Sequence, residues 1–186
     1  QRDPALGGDW RHLDYGQALA AARGIGQALL ERGLSADRPL MILSENSLDH
    51  AVLALGAMYA GVPFSAISPA YSLVSQDHGK LRHVVDTLTP GLVYAADWTR
   101  YHRAIEAAVP QGTEIVLSHT EGSEAAAHPI TPLDRLRATA PTPALDVAMR
   151  ATGPDTIVKF LFTSGSTNLP KAVITTQRML CANQQQ

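Results

Sequence analysis

Residues 39–67 read Pro39-Leu-Met-Ile-Leu-Ser-Glu-Asn-Ser47-Leu-Asp-His-Ala-Val-Leu-Ala-Leu-Gly56-Ala-Met-Tyr-Ala-Gly61-Val-Pro-Phe-Ser-Ala-Ile67. The first five residues form a short apolar run with the length of a buried strand. Ser47 to Ala60 reads as a helix, capped by Asn46 or Ser47 and stopped at Gly61 ahead of Pro63. Val62 to Ile67 is the next strand candidate. A strand, a helix and a second strand in so short a span predict a crossover unit on a parallel sheet.

The same alternation extends outward in both directions. Tyr15 to Arg32 carries Leu19, Ala22, Gly26 and Leu29 or Leu30 near one stripe, predicting a helix that Gly33 stops. Ser75 is expected to cap a helix in which Leu81, Val84, Val85 and Leu88 fall at i, i+3, i+4 and i+7, with Pro90-Gly91 ending it. Gly91 to Ala96 reads as a strand, Asp97 as the cap of a helix running to Val109, and Glu114 to Leu117 as a further strand. From Ser118 to Pro154 the pattern weakens. There Thr120 to His128 reads as a surface loop, Pro132 to Ala138 as a short helix and Pro141-Thr-Pro143 as an extended connector. The expected class is therefore α/β, with a mainly parallel sheet.

Composition narrows the functional classes. Of 186 residues, 45% are hydrophobic and 17% charged, which describes a globular chain with a sizeable core. Fifteen Lys and Arg against 17 Asp and Glu leave a net charge of -2. That balance offers no electrostatic footprint for nucleic acid or an anionic membrane. The apolar stretch Ala51 to Phe64 has 14 residues, so as a helix it spans about 21 Å against the ~30 Å of a bilayer core. A buried helix running into a buried strand is the expectation. Cys181, the single cysteine, forms no internal disulfide and points to a reducing, cytoplasmic home. The chain opens on Gln1 rather than Met, from which a start inside a longer reading frame is expected.

The chemistry is concentrated in residues 156–176: Thr156-Ile-Val-Lys-Phe-Leu-Phe-Thr163-Ser-Gly-Ser-Thr167-Asn-Leu-Pro-Lys171-Ala-Val-Ile-Thr-Thr176. A β-branched and aromatic run enters a loop with one glycine and four hydroxyl side chains, then leaves through a lysine into a second β-branched run. Backbone N–H groups, hydroxyls and one ammonium gathered in a loop are what a cluster of phosphate oxygens requires. A polar hairpin loop that binds nothing has the same general composition. The ATPase P-loop is excluded, because it needs a second glycine directly before the lysine and a helix after it. Here Lys171 comes six residues after Gly165 and a strand follows. We expect an antiparallel hairpin, with strands at about 157–162 and 172–176 flanking the loop.

Phe162-Thr-Ser-Gly-Ser-Thr-Asn-Leu-Pro-Lys-Ala-Val173 closely resembles the signature loop of the adenylate-forming enzymes. These are the acyl- and aryl-CoA synthetases, the adenylation domains of peptide synthetases and the firefly-type luciferases. Residues 39–46 and 56–64 resemble that superfamily's early strand–helix–strand unit, so the likeness runs from about Trp10 to the C-terminus. Ser65-Ala-Ile-Ser-Pro-Ala-Tyr-Ser72 and Thr175 to Gln184 look most like feruloyl-CoA synthetases. The resemblance implies that residues 1–186 are the N-terminal part of the large AMP-binding domain. It further implies an ATP-dependent acid–CoA ligase, with an aromatic or other carboxylic acid, ATP and CoA as reactants and Mg²⁺ as cofactor. Carboxylate attack on the α-phosphorus would give acyl-AMP and pyrophosphate, and CoA would then displace AMP. By the same resemblance Thr163, Ser164, Gly165, Ser166, Thr167 and Lys171 form the pyrophosphate grip. The adenine, ribose and catalytic-lysine elements would lie beyond Gln186, leaving the isolated chain inactive and prone to self-association through an uncovered sheet edge.

Three positions depart from the superfamily's pattern. Asn168 and Ala172 stand where glycine is usual, and Gln177 where histidine is frequent. Asn tolerates a left-handed backbone, and Ala172 is accommodated if it already belongs to the strand. A second class of reading is a non-catalytic α/β module that binds a nucleotide or a partner.

The remaining candidates read as structural. His78 and His83 are five residues apart and so diverge on a helix, which argues against a metal pair, and the histidines are taken as surface or capping residues. Cys181 is expected to be a packed thiol, and Trp10 and Trp98 to pack at helix ends. Asp49-His50 and Asp77-His78 fall in first helical turns, where the helix dipole accounts for the acid.

Overall fold

The structure, a computed structural model, describes residues 1–2, 8–163 and 169–185. Helix α1 (Tyr15–Glu31) begins at Asp14, whose side chain accepts from the Gln17 amide while the Gln17 side chain accepts from the Asp14 amide. This reciprocal pair satisfies two of the donors that a helix start leaves free. Strand β1 (Leu40–Leu43), helix α2 (Leu48–Ala60) and strand β2 (Phe64–Ala66) follow. Ser47 rather than Asn46 caps α2, and Gly61 closes it at φ +68°, a conformation that favours glycine. Next come α3 (Ala70–Leu73), α4 (Gly79–Leu88), β3 (Leu92–Asp97) and α5 (Trp98–Ala108). The chain continues through β4 (Ile115–His119), β5 (Ile130–Pro132), α6 (Leu133–Arg137) and α7 (Pro143–Ala151). It finishes with β6 (Ile157–Thr163), β7 (Lys171–Thr176) and α8 (Gln177–Gln184).

These strands form one sheet in the order β5-β4-β3-β1-β2-β6-β7. Every neighbouring pair is parallel except β6 and β7, which are antiparallel. The α/β class, the mainly parallel sheet and the hairpin are all as the sequence predicts. Both faces of the central strands are covered, so they read as continuous apolar runs rather than alternating ones. Leu40 and Ile42 of β1, with Leu92 and Tyr94 of β3 and Val116 of β4, pack into one core beside α1, α2, α6 and α7 residues. Met41, Leu43, Val93, Ala95, Ile115 and Leu117 point the other way, into a second core under α4 and α5. That period of two makes a three-layer α/β/α sandwich.

Helices α1 and α2 cross closely because glycines meet there. A Cβ on Gly56 would lie 2.6 Å from Ile25 Cγ2, and one on Gly26 would lie 3.0 Å from the Gly56 carbonyl oxygen; where α1 meets α6, one on Gly24 would lie 2.2 Å from the Arg137 carbonyl oxygen. The apolar stretch from Ala51 onward is a helix followed by a strand, but α2 is buried on one face only: Val52, Leu53, Gly56, Ala57 and Ala60 are buried while Leu55 is exposed. Among the described residues no helix is long and apolar enough to cross a membrane.

Several local expectations need correction. Ser75 does not cap α4: its hydroxyl accepts from the His78 amide and donates to Asp77, making a turn that sets His78 at φ +51° before the helix starts at Gly79. The short α3, the edge strand β5 and helix α7 were not predicted. In β5, Pro132 interrupts the apolar pattern, and α7 starts with Pro143 at its first turn, where proline suits a helix. Trp98 is buried at the start of α5 as expected, but Trp10 is exposed, with the Arg2 guanidinium 5.4 Å from its ring centroid. Cys181 is exposed, not packed. His128 is buried and hydrogen-bonds through Nδ1 to the Thr113 carbonyl, so it pins the β4–β5 loop rather than facing solvent.

Candidate functional site

Strand β6 runs parallel to β2, so its C-terminal end lies on the same edge of the sheet as the C-terminal ends of β1, β3 and β4. In open α/β sheets that carboxyl edge is where ligands sit. The loop that sequence reading singled out leaves β6 at this edge. Thr163 is the last residue of β6 and Lys171 the first of β7, and the two are direct partners in the antiparallel register. Both are exposed. The hairpin thus brings the first and last of the expected phosphate-gripping residues face to face at the loop's mouth. Ser164, Gly165, Ser166, Thr167 and Asn168 lie outside the described residues. Ala172 belongs to β7, paired with Phe162, and is not among the described residues with positive φ. An alanine in place of glycine there therefore carries no backbone strain. Gln177 opens α8, where its amide donates to the Thr156 carbonyl.

The hairpin is joined to the rest of the sheet by few bonds. Phe64 opposite Lys159 is the one registered pair between β2 and β6. The buried Ser65 hydroxyl supplements it by donating to the Phe160 carbonyl at 2.7 Å. At the far end, the His83 Nε2 on α4 lies 3.0 Å from the Pro170 carbonyl oxygen, next to Lys171 in the chain. Strand β7 has β6 as its neighbour at the end of the sheet, and Leu161, Val173 and Ile174 of the hairpin stay exposed.

A second polar group occupies the same edge, at the point where the strand order reverses between β1 and β3. A cavity of about 310 Å³ there is lined by Arg11, Glu45, Asp49, Tyr94, Arg100 and Ser118, among others. Its charges are already matched. Asp49 meets Arg137 Nη2 at 2.6 Å and Arg11 Nη2 at 3.5 Å, and it accepts from the Ser118 hydroxyl at 2.6 Å. Arg100 pairs with Glu45 at 3.0 Å. Burial disfavours the charged form of Asp49, but the bonds from Ser118 and Arg137 and the two arginine charges overcome it, so its carboxyl lies below the ordinary value. Burial pushes the Tyr94 hydroxyl, bonded to Ser118 Oγ at 2.8 Å, up to about 12. The helix dipole was therefore an incomplete account of Asp49. Its partners Ser118 and Arg137 lie 69 and 88 residues further along, with no local signal to announce them.

The fit of each expected group follows from these residues. A hydroxyl and an ammonium at the mouth of a loop on the carboxyl edge suit phosphate oxygens. No three His, Cys, Asp or Glu side chains among the described residues are grouped to hold a metal ion. The described residues thus give Mg²⁺ no cage of their own.

The family model described as "AMP-binding enzyme" matches residues 1–186. No curated protein matches the chain. Among solved structures, a benzoate CoA ligase from Burkholderia xenovorans LB400 aligns over 92% of this chain and 30% of its own, at 20% identity and a TM-score of 0.70. A fatty acyl-adenylate ligase from L. pneumophila, solved with acyl adenylate and pyrophosphate, aligns over 93% of this chain and 26% of its own, at 21% identity and a TM-score of 0.62. The luciferase-like enzyme of the mealworm Zophobas morio aligns over 90% of this chain and 37% of its own, at 17% identity and a TM-score of 0.65. At these identities the likeness is one of fold, and the chain spans about a quarter to two-fifths of each relative's length.

Proposed function

This chain belongs to the AMP-binding enzyme family, within the adenylate-forming superfamily, and from that premise we propose that it supplies the pyrophosphate-gripping loop of an ATP-dependent acid–CoA ligase. The observation that carries this reading is the register pair Thr163–Lys171 at the mouth of a Ser/Thr/Gly loop on the carboxyl edge of the sheet. A fold relative solved with acyl adenylate and pyrophosphate supports the assignment of the loop to the first half-reaction.

In that half-reaction a carboxylate oxygen attacks the α-phosphorus and the bond to the β-phosphate oxygen breaks. Negative charge grows on the departing pyrophosphate. Lys171 and the hydroxyls of Thr163, Ser164, Ser166 and Thr167 are the donors that meet that charge, which lowers the barrier electrostatically. Gly165 lets the backbone approach the phosphates closely. Mg²⁺, when bound with the nucleotide, would neutralise part of the phosphate charge.

The acid is proposed to be a hydroxycinnamate such as ferulate, on the resemblance of residues 65–72 and 175–184, with CoA as acceptor. Fold relatives include both a CoA ligase and acyl-adenylate ligases, so the acceptor needs its own test. ATP–pyrophosphate exchange by the full-length protein with ferulate, coumarate, benzoate and fatty acids, followed by thioester formation with CoA, makes that test. Exchange stimulated most by ferulate, with feruloyl-CoA as product, is expected. Exchange with none of the acids would refute the ligase reading and favour a non-catalytic nucleotide-binding module, whereas exchange without thioester would remove CoA alone. Residues 1–186 in isolation are expected to show no exchange, because orientation of carboxylate, α-phosphate and lysine accounts for about 7–11 kcal/mol of such a barrier.

A further inference from the structure

The loop's grip depends on where its two ends are held, and those ends are held unequally. On the Thr163 side, β6 is tied to β2 by the Ser65 hydroxyl on the Phe160 carbonyl, three residues before the strand ends. On the Lys171 side the hairpin reaches an edge strand with exposed Val173 and Ile174. Among the described residues, one side chain from outside the hairpin hydrogen-bonds to that side near the mouth. It is His83, whose Nε2 lies 3.0 Å from the Pro170 carbonyl oxygen. Pro170 is itself buried. His83 is half-buried on α4, a helix fixed by Leu81, Val84, Val85 and Leu88 in the core beneath Phe160 and Phe162.

We propose that His83 is a positioning residue of the phosphate loop, holding the Pro170 carbonyl so that the Pro170–Lys171 peptide plane presents Lys171 to the departing phosphates. The proposal rests on the phosphate-loop reading given above. A carbonyl oxygen only accepts, so His83 must carry its hydrogen on Nε2. The neutral tautomer protonated at Nε2 and the imidazolium both do so. Peptide-plane rotation about this point would swing the amide of Lys171 and the start of its side chain together. The role is one of geometry: His83 stands one residue behind the charge that does the work.

The test compares three variants in the full-length protein, each assayed for ATP–pyrophosphate exchange and for CoA transfer from preformed acyl-AMP. His83→Phe fills the space without a donor, His83→Asn keeps a donor that falls short of the carbonyl, and His83→Gln restores an amide N–H at similar reach. Loss of one neutral hydrogen bond corresponds to about a five- to tenfold change. His83→Phe and His83→Asn should lower kcat/KM for ATP in exchange by that factor, leaving KM for the acid and the rate of CoA transfer unchanged. His83→Gln should recover most of the loss. Should His83→Phe not fold, His83→Asn carries the comparison. A purely structural role predicts instead a lower melting temperature and equal slowing of both half-reactions, with no rescue by Gln. That pattern, or exchange unchanged in all three variants, overturns the proposal. Lys171→Ala run in parallel separates the two ideas. If it slows exchange while the His83 variants do not, the latch fails alone, and if it changes nothing, the loop reading and the latch fall together.

Discussion

Replacing Asp49 by Asn keeps the shape of the side chain and removes one charge from the carboxyl edge of the sheet. In the native protein that carboxylate is buried, 9% exposed, and meets Arg137, Arg11 and Ser118. In the Asp49→Asn variant the side-chain amide can still accept from Ser118 but leaves the Arg137 guanidinium without its closest countercharge. Breaking a fully buried ion pair costs roughly 3–5 kcal/mol. Here the Arg137 side chain keeps 26% of its accessible surface and a second carboxylate, Asp134, at 3.1 Å, so solvent and that partner recover part of the loss. A cost of about 2–3 kcal/mol is expected on that basis. With a urea dependence of about 2 kcal/mol per molar, the unfolding midpoint at pH 7 should drop by roughly 1–1.5 M. Asp49 has a folded pKa below its ordinary 3.8, so its contribution is present above that value and is lost as pH falls through the lower folded one. The gap between wild type and Asp49→Asn should accordingly close on acidification below about pH 4. A midpoint within error of wild type at pH 7, or a gap that stays constant down to pH 3, would refute the reasoning.

Gly24→Ala should destabilise the protein by about 1–3 kcal/mol in the same titration. The new methyl meets the Arg137 backbone carbonyl at 2.2 Å, and the ~1 kcal/mol that alanine gains in helix propensity does not offset a clash with backbone. Tyr94→Phe should remove stability loss at high pH. Because Tyr94 titrates at about 12 when folded against 10.0 ordinarily, wild-type stability should fall as pH rises through that window while the variant's changes less. Ser65→Ala should cost about 1 kcal/mol and speed amide hydrogen exchange in β6 more than in β1 or β3, since Ser65 helps to tie the hairpin to β2.

Much of this fold was legible because its signals are local. The run Leu40–Leu43, the Ser47 cap and Gly61 with positive φ each announce themselves within a few residues, and strand–helix–strand spacing then dictates a parallel sheet. Helix α7 escaped because Pro141 and Pro143 read as an extended connector, although Pro143 sits where a first helical turn accepts it. Strand β5 escaped because three residues ending in proline carry no period. At the site, hydroxyl and ammonium types in the loop were readable, and so was the hairpin that holds them. The His83–Pro170 bond and the Asp49–Arg137 pair were not, since each joins residues more than 80 apart in the chain. Side chains meeting across a fold leave no periodicity behind.

The claim that Lys171 and its loop grip the departing pyrophosphate is tested most directly by Lys171→Ala in the full-length protein, with the two half-reactions measured separately. Removing one positioned charge from such a site costs about 2–4 kcal/mol in the transition state, on the order of 30- to 1,000-fold in rate. That loss should appear in ATP–pyrophosphate exchange, where the charge develops. CoA transfer from preformed acyl-AMP, in which pyrophosphate has already left, should keep its wild-type rate. Equal slowing of both half-reactions, or exchange at the wild-type rate, would contradict the phosphate role.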